Sequence, residues 1–337
     1  MSIYSVGDQA RALALQSAAG RLKTTLNVLT EELASGEVSD IGQRVLGNTQ
    51  SLRAIEGKIS MTEAFHRVSV EADGLAKMMS AALDSIQSIS SNIAIDLINE
   101  PVGENTSLLL ERSGQVAKDL DLIVTRLNVS FSGQHVFSGT ATDQLPLMSG
   151  SEILNVLQGV VSGLTSASDI VQAVSDWFDS PSGSGGFLDV AYRGNDGGRQ
   201  FMVSEGRVVV LDVNAGAPEM RDTLKGMAIS SLVSRGVLST DISQQRELMR
   251  LGGGIIYDND SLLVSAQAKI GHFARSIERS IAENSMLSDS LTISRNDIRS
   301  ADPYETSLAL SDVETRLQTL YAVTNRLSKL KLVDYVR

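Results

Sequence analysis

The placement of proline, more than any motif, decides what this chain can fold into. None of its five prolines falls in residues 1 to 100 or between Glu219 and Asp302. Proline lacks an amide hydrogen and clashes with the preceding helical turn, so stretches without it can stay helical over unusual lengths. The apolar residues there have the matching period. Phe65, Val68, Ala72, Leu75, Met79, Ala82, Ile86, Ile89 and Ile93 step alternately by three and four. That spacing predicts one apolar seam along a rod of about 43 Å, at about 1.5 Å per residue. Pro101 ends or turns the chain, and Leu109, Val116, Leu120, Ile123 and Leu127 then line one face of a second helix, which completes an antiparallel hairpin. Later, Leu263, Ala266, Ile270, Phe273 and Ile277 resume the pattern, with Leu287 and Leu291 extending it less regularly.

The two ends of the chain carry coiled-coil seams of their own. Leu15, Ala19, Leu22, Leu26, Leu29 and Leu33 form one, and Leu310, Val313, Leu317, Leu320, Thr324 and Leu327, continued by Leu330, form the other. An isolated helix of this kind is marginal in water, because most helical stability comes from packing an apolar face. Each seam therefore needs its mate from the opposite end or a helix of a neighbouring subunit. The terminal residues predicted to form an assembly interface are Leu15, Leu22, Leu26, Leu29, Leu33, Leu310, Val313, Leu317, Leu320, Leu327 and Leu330. Such segments, lacking partners, are expected to be disordered or molten in the free chain.

Between these helices the composition changes. The pattern breaks at Ser132 to Gly139 and again at Pro146. Residues 151 to 178 read as two helical pieces with Asp169 as an N-cap between them, and the Ser- and Gly-rich run Asp179 to Gly186 reads as a loop. Phe187 to Arg193, Phe201 to Ser204 and Arg207 to Val213 are β-like, and Glu205-Gly206 is a two-residue hairpin signal. Pro218 opens a helix carrying Leu224, Met227, Ile229 and Leu232, and a short helix after it is expected to stop at Gly252-Gly253-Gly254. The predicted fold is mainly α: a long coiled-coil bundle made by the amino- and carboxyl-terminal segments, with a mixed α+β inserted domain. The expected division is 1–35 with 302–337 as terminal coiled-coil helices, 36–145 with 255–301 as a helical bundle, and 146–254 as the inserted domain.

Charge separates the same regions. The chain carries a formal −11, yet residues 1 to 35 hold three acids and three bases and residues 302 to 337 hold five of each. All the excess lies between neutral ends, an arrangement that lets ends pack together without accumulating like charge. The acidic total argues against general nucleic-acid binding. The start lacks a secretory signal pattern, and no stretch is long and apolar enough to span a membrane. Without cysteine there can be no disulfide, thiolate site or cysteine nucleophile.

Chemistry is otherwise sparse. His66, His135 and His272 are isolated, without the i, i+4 pairing of metal ligands. Gly194-Asn195-Asp196-Gly197-Gly198 lacks a P-loop lysine and the spacing of an EF-hand, so it reads as a turn. Asp258-Asn259-Asp260 reads as a helix start with acids well placed against the dipole. No catalytic, cofactor-binding or metal-ligating residue is assigned, and no enzyme activity or cofactor is expected.

Three segments carry a resemblance. Leu33-Ala34-Ser35-Gly36-Glu37-Val38 ends the first helix at a Ser-Gly break; His135-Val136-Phe137-Ser138-Gly139-Thr140 with Pro146 follows the second long helix; and Leu317 to Leu330 leads into Asp334-Tyr335-Val336. In this order, and at these distances from the ends, they resemble the bacterial flagellin family, and within it the proteins of the hook-filament junction. The likeness covers about residues 1 to 140 and 255 to 337. It departs from the family at Ser39-Asp40-Ile41-Gly42, where paired aspartates are usual, and at Lys331.

The resemblance implies a structural component of the flagellum, exported through the type III apparatus and located outside the cell at the junction of hook and filament. Implied partners are further copies of the chain in a ring, neighbouring hook-associated protein and flagellin subunits, and an export chaperone, with no nucleic acid and no membrane. Two other readings stand beside it: a filament-forming flagellin, and a bacterial coiled-coil signalling or adaptor protein. For residues 150 to 250 alone, the surface of an adhesin or enzyme also stays open beside a solvent-facing spacer.

Overall fold

A computed structural model describes residues 6–99 and 106–329. It is mainly helical, with two small antiparallel hairpins. Two compact units arise, Met1–Thr62 with Met286–Arg337, and Glu63–Ser285. The turn expected at Pro101 lies outside the described residues.

In the first unit, α1 (Val6–Ser35) ends where Gly36 takes a left-handed conformation at φ +72°. That is the usual way to stop a helix with glycine. A short α2 (Ile41–Arg44) follows, with the Asp40 carboxylate accepting from the Gln43 amide at 2.9 Å. The first turns of α3 (Gln50–Ile98) bury Leu52, Ile59 and Thr62. The last turns of α9 (Ile242–Arg299) and α10 (Pro303–Lys329) complete the unit.

The second unit is built around the seam predicted for α3. Ala72, Leu75, Met79, Ala82 and Ile86 are all buried, with Val68, Ile89 and Ile93 packed against them. On α4 (Thr106–Leu127) the predicted stripe of Leu109, Val116, Leu120, Ile123 and Leu127 is buried too. One continuous core joins these residues to the elements that follow. After α4 comes a small hairpin, β1 (Ser130–Phe131) and β2 (Gln134–His135), whose Ser132-Gly133 turn has positive φ at both residues. Gly74 on α3 makes room for the tip of the Phe131 ring, since a Cβ there would come within 2.4 Å of Phe131 Cζ.

The mixed region differs from expectation in places. α5 (Gly150–Val160) begins with a capping box between Ser149 and Glu152. The cap of α6 (Ala167–Asp179) is Ser166, not Asp169; the Ser166 hydroxyl accepts from the Asp169 amide at 3.2 Å, which places Asp169 in the first turn, where a carboxylate favours the dipole. Phe187 to Arg193 is not a strand: Phe187–Val190 is a short helix, α7, and Tyr192 makes only an isolated bridge to Leu147. The cause is aromatic packing, because Phe187 stacks on Phe178 at 5.0 Å and meets Trp177 edge-on at 6.0 Å. The Glu205-Gly206 hairpin forms as predicted, between β3 (Arg199–Ser204) and β4 (Arg207–Leu211). It sits on α9 through Phe201 against Phe273 at 5.7 Å and a hydrogen bond from Asn284 to the Val203 carbonyl.

Pro218 occupies the first turn of α8 (Pro218–Ser231), which leads through a 3-10 turn at Leu232–Arg235. The largest departure comes next. α9 does not stop at Gly252-Gly253-Gly254 but runs unbroken to Arg299. Two of these glycines serve close packing: a Cβ on Gly252 would meet Ser230 Oγ at 2.2 Å and Gly226 O at 2.7 Å, and one on Gly253 would meet Leu97 Cβ at 2.7 Å. Asp258-Asn259-Asp260 is consequently mid-helix rather than a cap. Asn259 is buried and donates to the Glu219 carbonyl at 2.7 Å and to Thr223 Oγ1 at 2.8 Å, while Asp260 accepts from Ser91 Oγ at 2.9 Å.

Candidate assembly surface

The terminal helices α1 and α10 pack along each other. Their direction follows from two contacts. The residue after α1 is tied to the residues before α10, whereas Lys23 in the middle of α1 places its ammonium 5.9 Å from the centre of the Tyr321 ring, far along α10. The pair is therefore antiparallel, and the ring is within range of a cation–π attraction.

Where α1 ends and α10 begins, the pair is closed by a clasp. The Val38 amide donates to the Arg299 carbonyl at 2.8 Å and the Ala301 amide donates to the Gly36 carbonyl at 2.9 Å, which makes Glu37 and Ser300 directly opposed residues of a two-strand bridge. The Arg299 guanidinium adds ion pairs to Glu37 at 2.9 Å and to Glu56 of α3 at 3.7 Å.

Among the described side chains, the predicted seam residues are covered unevenly by this pairing. Leu15, Leu22, Leu26 and Leu29 on α1, and Leu310, Leu317 and Leu320 on α10, are only partly buried. Val313 is buried and Leu33 is exposed. Leu15, Leu22 and Leu320 come together with Thr315, Thr319 and Val323 around one open, mainly apolar groove. Leu327 belongs to α10, and Leu330 lies outside the described residues, as does Asp334-Tyr335-Val336. Leu13 and Leu308, which belong to neither predicted seam, are strongly exposed. A helix pair that leaves seven of its seam leucines half-covered has finished only part of its packing.

No family model matches this chain, and no curated protein sequence does. Its structure is similar to that of a "putative flagellar hook-associated protein" from Vibrio parahaemolyticus, with a TM-score of 0.51 over 74% of this chain and 96% of that one, at 13% sequence identity. The likeness is one of fold.

The Phe137-Ser138-Gly139 segment has a structural role in the second unit. Phe137 and Ser138 are fully buried, the Phe137 carbonyl accepts from the Ala215 amide, and the Ser138 carbonyl accepts from the Asn195 amide. Gly139 has φ +66°, and a Cβ there would fall 2.1 Å from the Asn195 carbonyl oxygen. Asn195 Oδ1 in turn accepts from the Thr140 amide at 2.9 Å, and Tyr192 donates its hydroxyl to the Asn195 carbonyl at 2.8 Å. Burial, with Asp196 nearby, raises the Tyr192 phenol well above its ordinary range and keeps it a donor. The turn at 194–198 is thus the receptor for this motif. Sequence reasoning saw both segments and missed that they hold each other, because nothing local to either one reports the contact.

Of the histidines, His135 places Nδ1 2.9 Å from the Asn128 carbonyl, His272 is exposed, and His66 lines an open groove with Arg67, Val70, Glu71, Phe131 and Ser132. Among the described residues no group of three or more His, Cys, Asp or Glu could hold a metal ion, and no helix is long and apolar enough to cross a membrane.

Proposed function

We propose that this chain is a structural subunit of the bacterial flagellum, and specifically an adaptor at the junction of hook and filament comparable to hook-associated protein 3 (FlgL). The observation that carries the proposal is the half-covered seam on the antiparallel α1–α10 pair, which a second set of the same helices would cover. The flagellar setting draws support from the order of the Ser-Gly break, the Phe-Ser-Gly segment and the terminal helix, and from the fold shared with the hook-associated neighbour. In this reading residues 1–35 and 302–337 form the inner core of a tubular assembly, 36–145 with 255–301 the bundle around it, and 146–254 the outer domain. The chain leaves the cell by the flagellar export route with a chaperone, assembles as a ring of identical copies, and contacts another hook-associated protein on one side and flagellin on the other. It carries out no covalent chemistry.

Deleting the gene and imaging cells and medium tests the assignment. Intact hooks without filaments, with flagellin shed into the medium, are the expected result; normal filaments would exclude the role. The filament-forming alternative is separated by electron microscopy of the concentrated protein, which for an adaptor yields no long filaments. At the level of the surface itself, Leu22→Glu or Leu320→Glu is expected to abolish self-assembly seen by sedimentation while leaving the thermal transition of the second unit within about 0.5 kcal/mol of wild type.

A further inference from the structure

We propose that the 36–38/299–301 clasp is the nucleation point of the terminal helix pair, so that α1 and α10 zip outward from it and fray toward it. Two costs oppose pairing of helices from opposite ends of a chain: bringing the ends together, and forming the first ordered turns. The clasp meets the first, because two backbone hydrogen bonds and the Arg299–Glu37 ion pair already hold the end of α1 against the start of α10. Its base is firm. Glu56, the second partner of Arg299, lies on α3 between the buried Leu52 and Ile59, and Ala301 is itself buried.

Along α10, burial falls away from the clasp as this requires. On α10, Thr306 and Val313 are buried, Leu317 and Leu320 partly so, and Tyr321 to Arg326 are all exposed. On α1, Ala10 to Ala14 are exposed, and so are Leu33 to Ser35 beside the clasp, with partly buried positions spaced between them from Leu15 to Glu32. The far turns of α10, Tyr321 to Arg326, therefore contribute little to the stability of the pair and depend on the turns nearer the clasp for register. Arg299 acts here as a positioning residue, setting which residues of the two helices meet. The inference concerns the single chain and does not rest on the flagellar reading.

Amide hydrogen exchange on the full-length monomer tests it. The expected result is slower exchange in Thr306 to Val313 than in Tyr321 to Arg326, and faster exchange in both α1 and α10 of Arg299→Met, by about two- to fivefold as suits a half-exposed ion pair. A second variant guards against an unprotected or misfolded first one. Glu37 and Ser300 are directly opposed across the bridge, in the geometry a disulfide can span, and the chain has no cysteine of its own. Glu37→Cys with Ser300→Cys should, when oxidised, slow exchange in both helices, most strongly next to the clasp, and lose that effect on reduction. Exchange uniform along α10, an Arg299→Met effect confined to residues 36–38 and 299–301, or a cross-link that protects neither helix would each overturn the proposal.

Discussion

Single glycines in this protein do opposite jobs within a few residues of one another, and their neighbours decide which. Gly252, Gly253 and Gly254 are successive residues of one helix, yet a methyl group would collide with α8 at the first, with α3 at the second, and with nothing at the third. Gly252→Ala and Gly253→Ala are expected to destabilise the second unit by about 1–3 kcal/mol through overpacking. Gly254→Ala should instead stabilise it by about 0.5–1 kcal/mol, the ordinary helical preference for alanine. Denaturant titration of the three variants measures both signs. Gly139→Ala combines a left-handed backbone with a methyl against the Asn195 carbonyl, so a loss of at least about 2 kcal/mol is expected in the same measurement.

Elements show where the sequence is legible and where it is not. Repeats that a single helix imposes on itself could be read directly: every residue of the α4 stripe and the centre of the α3 seam are buried as their spacing predicts. Signals that depend on a distant partner could not. The three glycines resemble a helix end until α8 and α3 are placed beside them, and Phe187 looks β-like until Trp177 and Phe178 give it a place to pack. The seam leucines were identifiable by spacing, but the clasp that aligns them was not, because Glu37, Glu56 and Arg299 have no pattern in common. Carboxylates at helix starts sit between these cases. Asp189 was part of no motif, yet its carboxylate organises the Ser- and Gly-rich loop by accepting from the Gly183 and Gly185 amides at 2.8 and 2.7 Å.

At the scale of the molecule, such carboxylates predict a response to acid. Hydrogen bonds lower the carboxyl groups of three residues at helix starts: Asp189 through the Gly183 and Gly185 amides, Glu152 chiefly through the Ser149 hydroxyl, and Asp241 chiefly through the Ser243 hydroxyl. A carboxylate lowered on folding contributes stability that is complete above its ordinary value, 3.8 for Asp and 4.5 for Glu, and is lost as pH falls through the depressed one. All three lie in Glu63–Ser285. Thermal melts between pH 7 and pH ~2.5 should therefore show that unit flat at first and weakening below about pH 4, with a shallower fall in Asp189→Asn.

The antiparallel terminal pair also sets a timetable. The second unit is one continuous stretch of chain, so it can complete its core while synthesis is still under way. α1 is made before the second unit and its partner α10 only after it, and for the whole interval between them the leucines of α1 have no mate from their own chain. A growing chain then holds a folded second unit beside an unpaired α1, and it stays so until α10 has left the ribosome.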